Sequence, residues 1–238
     1  MTPALEIKNL SLAYGVNRVV RDVNFAVEGS CAFAILGPNG AGKTSILRAI
    51  SGLMPAVSGD IRSNGHSIIG LRPYLIVAKG VSHVPEGRKI FPEMSVLDNL
   101  LVGATVLIGD RKRLRELLER NFQLFPILRE RAKLPGGALS GGEQQQLTVA
   151  RGLMADPKVL IVDEPTLGLA PAIILTMADM FRRLRDLGLT IVIAEQNADF
   201  ALKIATSGVV ISNGQVKFAG ELAALRHGDT LKRAYLGG

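Results

Sequence analysis

The sequence FAILGPNGAGKTSILRAI, from Phe33 to Ile50, decides the fold of this chain. A compact apolar run stops at Gly37 and a helix is predicted to begin near Gly42, so strand, glycine-rich loop and helix follow in order. Glycines let the backbone turn its N–H groups toward phosphate oxygens without side-chain clashes. Lys43 adds a mobile positive charge for the β- and γ-phosphates, and the Thr44 hydroxyl can ligate Mg²⁺ at the helix start. The spacing predicts a nucleotide phosphate-binding loop, with an unliganded glycine-rich turn as the alternative.

The residues predicted to contact the nucleotide in this loop are consecutive in the sequence. They are Gly37, Pro38, Asn39, Gly40, Ala41, Gly42, Lys43, Thr44 and Ser45.

A second motif, VLIVDEP, runs from Val159 to Pro165 and reads as an apolar strand that ends in two adjacent carboxylates. Ligands of open α/β sheets bind at the carboxyl ends of the strands. Consecutive strand residues point opposite ways, but a turn at Pro165 allows both carboxylates to reach the site. Asp163 is the predicted Mg²⁺ ligand, directly or through water, and Glu164 the predicted general base or orienter of the attacking water.

A third motif, LSGGEQQQL, combines a hydroxyl, two flexible glycines and a helix start between Leu139 and Leu147. These features suit a second set of phosphates, although they cannot serve the same nucleotide from the same side. A plain helix cap after a loop is the alternative interpretation of Ser140 and the glycines. With the other two motifs, this segment indicates ATP hydrolysis.

Length and composition favour one cytosolic or peripheral domain. The 238 residues suffice for a substantial core, and despite a mean hydropathy of +0.27 no uninterrupted apolar run approaches the roughly 18 residues of a membrane-spanning helix. Pro3 and Glu6 lie where a secretory signal needs a basic and then apolar segment, and the lone Cys31 cannot form an internal disulfide. The net charge of +7 suits anionic partners in general.

Alternation along the chain predicts an α/β fold. Two alternating segments, Leu5 to Leu12 and Val19 to Val27, predict an antiparallel pair at the start. The last third alternates strand and helix, which is typical of a parallel sheet, and a hairpin at Asn213-Gly214 precedes short terminal helices. The region between these two parts is predicted to be mostly helical, and Ser95 with Asp98 is predicted to cap one of its helices.

The three motifs together resemble those of the ATP-binding cassette (ABC) family of transporter ATPases. The resemblance implies a P-loop NTPase (RecA-like) core with an N-terminal antiparallel β-subdomain and an α-helical insertion subdomain. It divides a single domain, 1–238, into the core with its β-subdomain (1–87 and 155–238) and a helical subdomain (88–154). It also implies ATP and Mg²⁺ as cofactors.

In the family, ATP is sandwiched between the phosphate loop of one subunit and the serine-glycine motif of another, so hydrolysis requires a dimer. The resemblance therefore assigns contacts in trans to Ser140, Gly141, Gly142 and Glu143. It also makes Tyr14 the adenine-stacking aromatic, with core packing as the alternative role for that ring.

Three positions depart from the family pattern. Glu86, in VPEGRKIFPEMSV, stands where the family usually has Gln; its carboxylate can still ligate Mg²⁺ or respond to the γ-phosphate. Gln196, in IVIAEQNADFAL, replaces the usual switch histidine and can donate a hydrogen bond but cannot titrate. The segment PTLGLAP lacks the aspartate common in the subunit-crossing loop. We expect Lys43, Glu86, Glu164 and Gln196 to form the catalytic set.

The strings VPEGR, EPTLGLAP, AEQNADFAL and the terminal AYLGG resemble the ATPase subunit, of the LivF type, of bacterial branched-chain (hydrophobic) amino-acid importers. The resemblance implies membrane permease subunits, a second ABC ATPase subunit or a homodimer, and indirectly a periplasmic or extracellular binding protein. It places the chain peripherally on the cytoplasmic face of the membrane.

Other functions remain open from the sequence. Relatives of these importers handle urea, amides or other amino acids. An ABC ATPase acting on nucleic acid or ribosomes is disfavoured because the chain has neither two cassettes nor a long coiled-coil insertion, so no nucleic-acid partner is expected. A non-hydrolytic regulatory cassette is disfavoured by intact Lys43, Thr44, Asp163 and Glu164.

Overall fold

The computed structural model describes residues 2–107 and 109–226. Its ten strands within these ranges are β1 (Leu5–Tyr14), β2 (Asn17–Val27), β3 (Ala32–Leu36), β4 (Ser58–Ser63), β5 (His66–Ser67), β6 (Val81–Val84), β7 (Val159–Asp163), β8 (Thr190–Glu195), β9 (Ser207–Ser212) and β10 (Gln215–Glu221). The α-helices described are α1 (Lys43–Ile50), α2 (Pro73–Ala78), α3 (Val96–Gly103), α4 (Arg111–Leu124), α5 (Pro126–Glu130), α6 (Gly141–Leu153), α7 (Pro171–Asp186) and α8 (Ala198–Ile204).

The strands form two sheets. The first has the order β2-β1-β4-β5 and is antiparallel, as expected for the N-terminal subdomain. The second has the order β10-β9-β3-β8-β7-β6 and is parallel except for the edge strand β10. The predicted α/β class is therefore confirmed. In the second sheet, β8 lies between β3 and β7, although it follows both in the sequence.

The parallel sheet is buried on both faces because its strands are apolar at successive positions. Side chains on one face, including Leu36, Val162 and Ile193, pack in a cluster with α3 to α8. Those on the other face, including Ile35 and Ile161, pack against α1 and the first sheet. The carboxyl ends of β3, β7 and β8 therefore lie at the same edge of a sheet that is packed on both faces.

The helical middle of the chain runs from α3 to α6. Ser95 caps α3 by accepting a hydrogen bond from the Asp98 N–H at 3.0 Å, which confirms the predicted capping pair. The exact division into 1–87, 88–154 and 155–238 stays a prediction. No helix within residues 2–107 and 109–226 combines the length and the apolar character that crossing a membrane requires.

The turns follow the sequence signals. Asn64 and Gly65, and again Asn213 and Gly214, have positive φ angles in tight turns between paired strands. Of the predicted terminal helices, the structure describes one short 3₁₀ helix, Leu222–Arg226. The AYLGG ending, 234–238, lies outside the described residues.

Candidate functional site

The predicted phosphate-binding loop connects β3 to α1 and approaches its neighbours so closely that two glycines have no room for a side chain. A Cβ atom on Gly37 would lie 2.2 Å from the carbonyl oxygen of Ile211. Gly42 has a φ of 106°, and a Cβ there would lie 2.9 Å from the carbonyl oxygen of Val19. The loop conformation therefore depends on glycine for both space and backbone angle.

Lys43 is only 4% exposed and is turned back into the loop. Its Nζ donates to the carbonyl oxygens of Gly37 at 2.9 Å and Pro38 at 3.1 Å. The same atom lies 3.2 Å from Oε1 of Glu164. The predicted phosphate-binding cation and the predicted base are thus a direct ion pair, although 121 positions separate them (164 − 43).

Asp163 and Glu164 reach the same edge of the sheet because the backbone changes direction between them. Asp163 is the last residue of β7, whereas Glu164 has a φ of 42°, in the left-handed region that side-chain-bearing residues rarely adopt. The N–H of Glu164 donates to the carbonyl oxygen of Ala194 at 2.9 Å, which fixes this turn to β8. The predicted turn at Pro165 therefore begins one residue earlier, at Glu164 itself.

Asp163 is a buried carboxylate with unsatisfied bonding capacity. Only 1% of the residue is exposed, and its Oδ1 atom has no hydrogen-bond partner. Burial raises the pKa of Asp163 to about 6, and the negative charges of Glu86 and Glu164 act in the same direction. The hydrogen bond with Thr44 and the charge of Lys43 oppose that rise. An added cation at this carboxylate would relieve the penalty.

A cavity of about 400 Å³ opens in front of the loop. The side chains and backbone that line it are those of Tyr14, Val19, Asn39, Gly40, Gly42, Lys43, Thr44, Ser45, Glu86, Glu164 and Leu167. Tyr14 is 49% exposed and its hydroxyl shares a 3.4 Å hydrogen bond with Ser45, so the ring stands at the rim rather than in the core. The structure thus brings Tyr14, Glu86 and Glu164 to one opening.

Gln196 follows β8 and is exposed. Its backbone N–H donates to Oε2 of Glu195 at 3.1 Å. Gln196 is not among the residues that line the cavity.

The third motif forms the N-terminus of α6 and lies outside the cavity. Ser140 is exposed and accepts a hydrogen bond from the N–H of Glu143 at 3.4 Å, while Oε2 of Glu143 accepts from the N–H of Ser140 at 2.8 Å. This reciprocal pair is a capping box. Arg131 lies 3.2 Å from the same Glu143 oxygen. The cap expected in the alternative interpretation is therefore present in the isolated chain, and Ser140 is not among the residues that line the cavity in front of the loop.

Two further residues hold the site together, and sequence reasoning missed both. Arg88 has a φ of 51° and donates from Nη2 to the carbonyl oxygen of Gly168 at 2.9 Å. Its guanidinium also packs over Gly141, where a Cβ would lie 2.6 Å from Nη1. Glu195 accepts hydrogen bonds from Thr166 and from the backbone after β8. Arg88 lies in the string VPEGR and Glu195 in AEQN. No neighbouring residue in either string indicated the distant groups that they contact.

Comparison with known proteins gives a consistent result. A family model described as ABC transporter matches residues 20–167. The chain is 38% identical to the high-affinity branched-chain amino acid transport ATP-binding protein BraG of Pseudomonas aeruginosa, covering 98% of this chain and 100% of that protein. It is 32% identical to a probable branched-chain amino acid transport ATP-binding protein LivF of Archaeoglobus fulgidus, covering 98% of each.

Another relative of similar sequence identity is named for a different transport system. The chain is 33% identical to the lipopolysaccharide export system ATP-binding protein LptB of Escherichia coli, covering 98% of this chain and 97% of that protein. Among solved structures, the ADP conformation of MJ1267, an ATP-binding cassette of an ABC transporter, superimposes with a TM-score of 0.84 at 25% identity and full coverage of both chains.

Proposed function

This chain belongs to the ABC transporter family and is an ATPase, and from that premise we propose that it energises import of branched-chain or related amino acids through separate membrane permeases. The contact of Lys43 with Glu164 carries the proposal for the chemistry. The proposed phosphate-binding cation and the candidate base lie 3.2 Å apart and both line one cavity, which supports this chemistry. Arriving phosphates would compete with Glu164 for the ammonium group and leave this carboxylate next to the γ-phosphate, where a water can be oriented.

The residues present fit Mg²⁺. Thr44, Asp163 and Glu86 offer the oxygen ligands that this ion prefers, and the unpartnered Oδ1 of buried Asp163 is the strongest single indication. Within the described ranges no three His, Cys, Asp or Glu side chains form a metal site by themselves. Mg²⁺ keeps several waters and shares substrate phosphates, so few protein ligands are needed. When bound, it neutralises charge on the β- and γ-phosphates.

Two chains would complete each ATP site. The cavity in front of Lys43 is lined by the phosphate loop but not by Ser140, which is exposed at the start of α6. A second copy or a paralogous subunit would supply Ser140, Gly141 and Gly142 to the γ-phosphate through a helix N-terminus. Glu143 contributes by keeping that helix start capped. The exposure of Tyr14 at the rim supports its proposed role in stacking on the adenine.

A groove on the helical side is the proposed permease site. A cavity of about 350 Å³ lies between α2, β6 and α3, and it is lined by exposed apolar side chains that include Leu53, Phe91 and Val102. A cytoplasmic helix of a permease would bury such side chains, which supports the proposal that the chain is peripheral on the cytoplasmic face of the membrane. A substrate-binding protein outside the cell would be an indirect partner.

The proposed solute is tested by reconstitution. The chain is assembled in liposomes with the permease subunits encoded beside it, and ATP-driven uptake is compared for labelled leucine, valine, urea and acetamide. We expect uptake of the branched-chain amino acids, abolished by Glu164→Gln in the same assembly. Uptake of urea or acetamide alone would show that the proposed solute is wrong, and the assignment of the chain as an ATPase would stand. Movement of solute outward only would reverse the proposed direction.

A further inference from the structure

Glu195 is the last residue of β8 and one of the few acidic side chains in the interior of the described structure. Only 2% of the residue is exposed. Among the described residues, no ion pair involves its carboxylate, so no Lys or Arg compensates its charge by direct contact. Burial raises the pKa of Glu195, and the negative charge of Glu164 adds to that rise, whereas its hydrogen bonds act in the opposite direction. An acidic side chain held in this way is costly and calls for a specific reason.

The carboxylate divides its two oxygens between two loops. Oε1 accepts from the backbone N–H of Thr166 at 3.1 Å and from its hydroxyl at 2.6 Å. Oε2 accepts from the backbone N–H groups of Gln196 and Asn197, both at 3.1 Å. One oxygen therefore holds the loop that follows Glu164, and the other holds the segment that carries Gln196.

The backbone of the same strand end extends this connection to the phosphate loop. The carbonyl oxygen of Glu195 accepts from the N–H of Gly37 at 3.3 Å. The preceding carbonyl, of Ala194, accepts from the N–H of Glu164 at 2.9 Å. The end of β8 thus contacts the phosphate loop, the Glu164 turn and the segment that carries Gln196.

We propose that Glu195 is a positioning residue that sets the distance between Gln196 and the loop carrying Glu164, so that both meet the attacking water in one geometry. The inference rests on the proposed hydrolytic site and deepens it. Glu195 does not line the nucleotide cavity, so it acts through its two partners. Misplacing a reacting group by about 1 Å can cost about 100-fold in rate, which makes such a residue matter for turnover more than for binding.

The chemistry of the side chain explains why an acid serves here. A carboxylate offers acceptors on both oxygens, whereas a glutamine offers one acceptor and a donor NH₂ group. Three of the four hydrogen bonds to Glu195 come from backbone N–H groups, which cannot accept, so an amide NH₂ group at either position leaves at least one backbone N–H without its partner. Glu195→Gln therefore weakens the hold on one of the two loops while conserving side-chain volume.

The test measures ATP hydrolysis and nucleotide affinity for Glu195→Gln in the full-length chain, assembled with its partners. We expect kcat to fall about 10- to 100-fold, while the Kd for a non-hydrolysable ATP analogue, measured by calorimetry, changes by less than about threefold. Asp199→Asn removes a charge from an exposed acid on α8, four positions away, and serves as the matched control with unchanged kcat. Equal losses of affinity and turnover in Glu195→Gln would contradict a positioning role.

A double-mutant cycle separates positioning from general support of the fold. If Glu195 acts through Gln196, the effect of Glu195→Gln on kcat is strongly reduced in a Gln196→Ala background. Full additivity of the two changes would overturn the proposal. If Glu195→Gln fails to fold, Thr166→Val removes a single hydroxyl contact at nearly constant volume, and Thr166→Ser is expected to restore kcat. A wild-type chain that hydrolyses ATP but supports no amino-acid uptake would defeat the proposed solute and leave this test intact.

Discussion

The phosphate-binding edge of the sheet and the Ser140 segment (139–147) are both glycine-rich helix starts, but they are stabilised in opposite ways. At the sheet edge, Lys43 contacts loop carbonyls and a carboxylate from a distant strand, and Asp163 keeps one oxygen without a partner. In the Ser140 segment, the capping box pairs residues three positions apart at the surface. The first region keeps unsatisfied bonding capacity in the interior, whereas the second satisfies its helix cap with residues of its own segment at the surface.

This difference predicts which substitutions should change ligand binding or catalysis and which should mainly change the stability of a helix. Substitutions at the sheet edge alter buried charges that interact strongly with one another. Their effects should therefore be large and should depend on pH or on bound ligand. Changes in the Ser140 segment alter an exposed helix cap, so their cost to folding should be small and their main consequence should appear on assembly.

Glu164→Gln is expected to have the largest effect. Removing the candidate base should lower ATP turnover by about 10²- to 10⁴-fold, because a positioned base contributes rate enhancement of that order. ATP binding should persist, since Lys43 remains, and the ATP-bound dimer should accumulate. Phosphate release and size-exclusion chromatography with ATP measure the two parts. Undiminished turnover would rule out Glu164 as the base.

Lys43→Ala should weaken ATP binding by about 100-fold, because charge-assisted hydrogen bonds contribute roughly 1.5–3 kcal/mol each and Glu164 would lose its counter-charge. Calorimetry with a non-hydrolysable analogue measures the change. Lys112→Ala, at an exposed position of α4, is the matched control and should bind normally. Unchanged affinity in Lys43→Ala would refute the phosphate-loop interpretation.

Asp163→Asn should stabilise the nucleotide-free protein at pH 7.5 by roughly 1–3 kcal/mol, since a pKa near 6 in the folded chain against 3.8 in the unfolded chain penalises the ionised form. The folded state binds the proton more tightly, so this penalty is present above pH 6 and disappears as the pH falls toward 4. Urea unfolding at pH 7.5 and pH 4.5 measures the difference. A stabilisation that is equal at both pH values would contradict the buried-charge explanation.

Ser140→Ala should have the smallest effect on the isolated chain, about 1 kcal/mol, which is typical for loss of an N-cap. It should nevertheless reduce ATP-dependent dimer formation. Ser95→Ala, which removes the comparable cap of α3, is the matched control and should cost similar stability without affecting dimers. Dimer loss in both variants would show that helix stability, and not contact in trans, is responsible.

Sequence reasoning succeeded where the signal is local. The order of strand, glycine-rich loop and helix around Gly37 to Ser45, the strand before Asp163 and the cap at Ser95 all depend on residues within a few positions of one another. The cap at Ser140 was only the alternative interpretation of that motif. Sequence reasoning was less informative for Tyr14, Glu86 and Gln196, whose roles stay predictions. The structure places Tyr14 and Glu86 at the cavity and Gln196 beside Glu195. Arg88 and Glu195 were missed because their partners lie 80 and 29 positions away.

The amino-acid sequence by itself determined the local strand, loop and helix around Lys43 and indicated the groups expected to carry the chemistry, because a phosphate loop is built from adjacent residues whose glycines fix the backbone. Tertiary structure alone decided how those groups meet. Strand β8 inserts between β3 and β7, an order that no pattern along the chain specifies, because it arises from packing helices on both faces of one sheet. That insertion brings Glu195 between the phosphate loop and the Asp163-Glu164 turn.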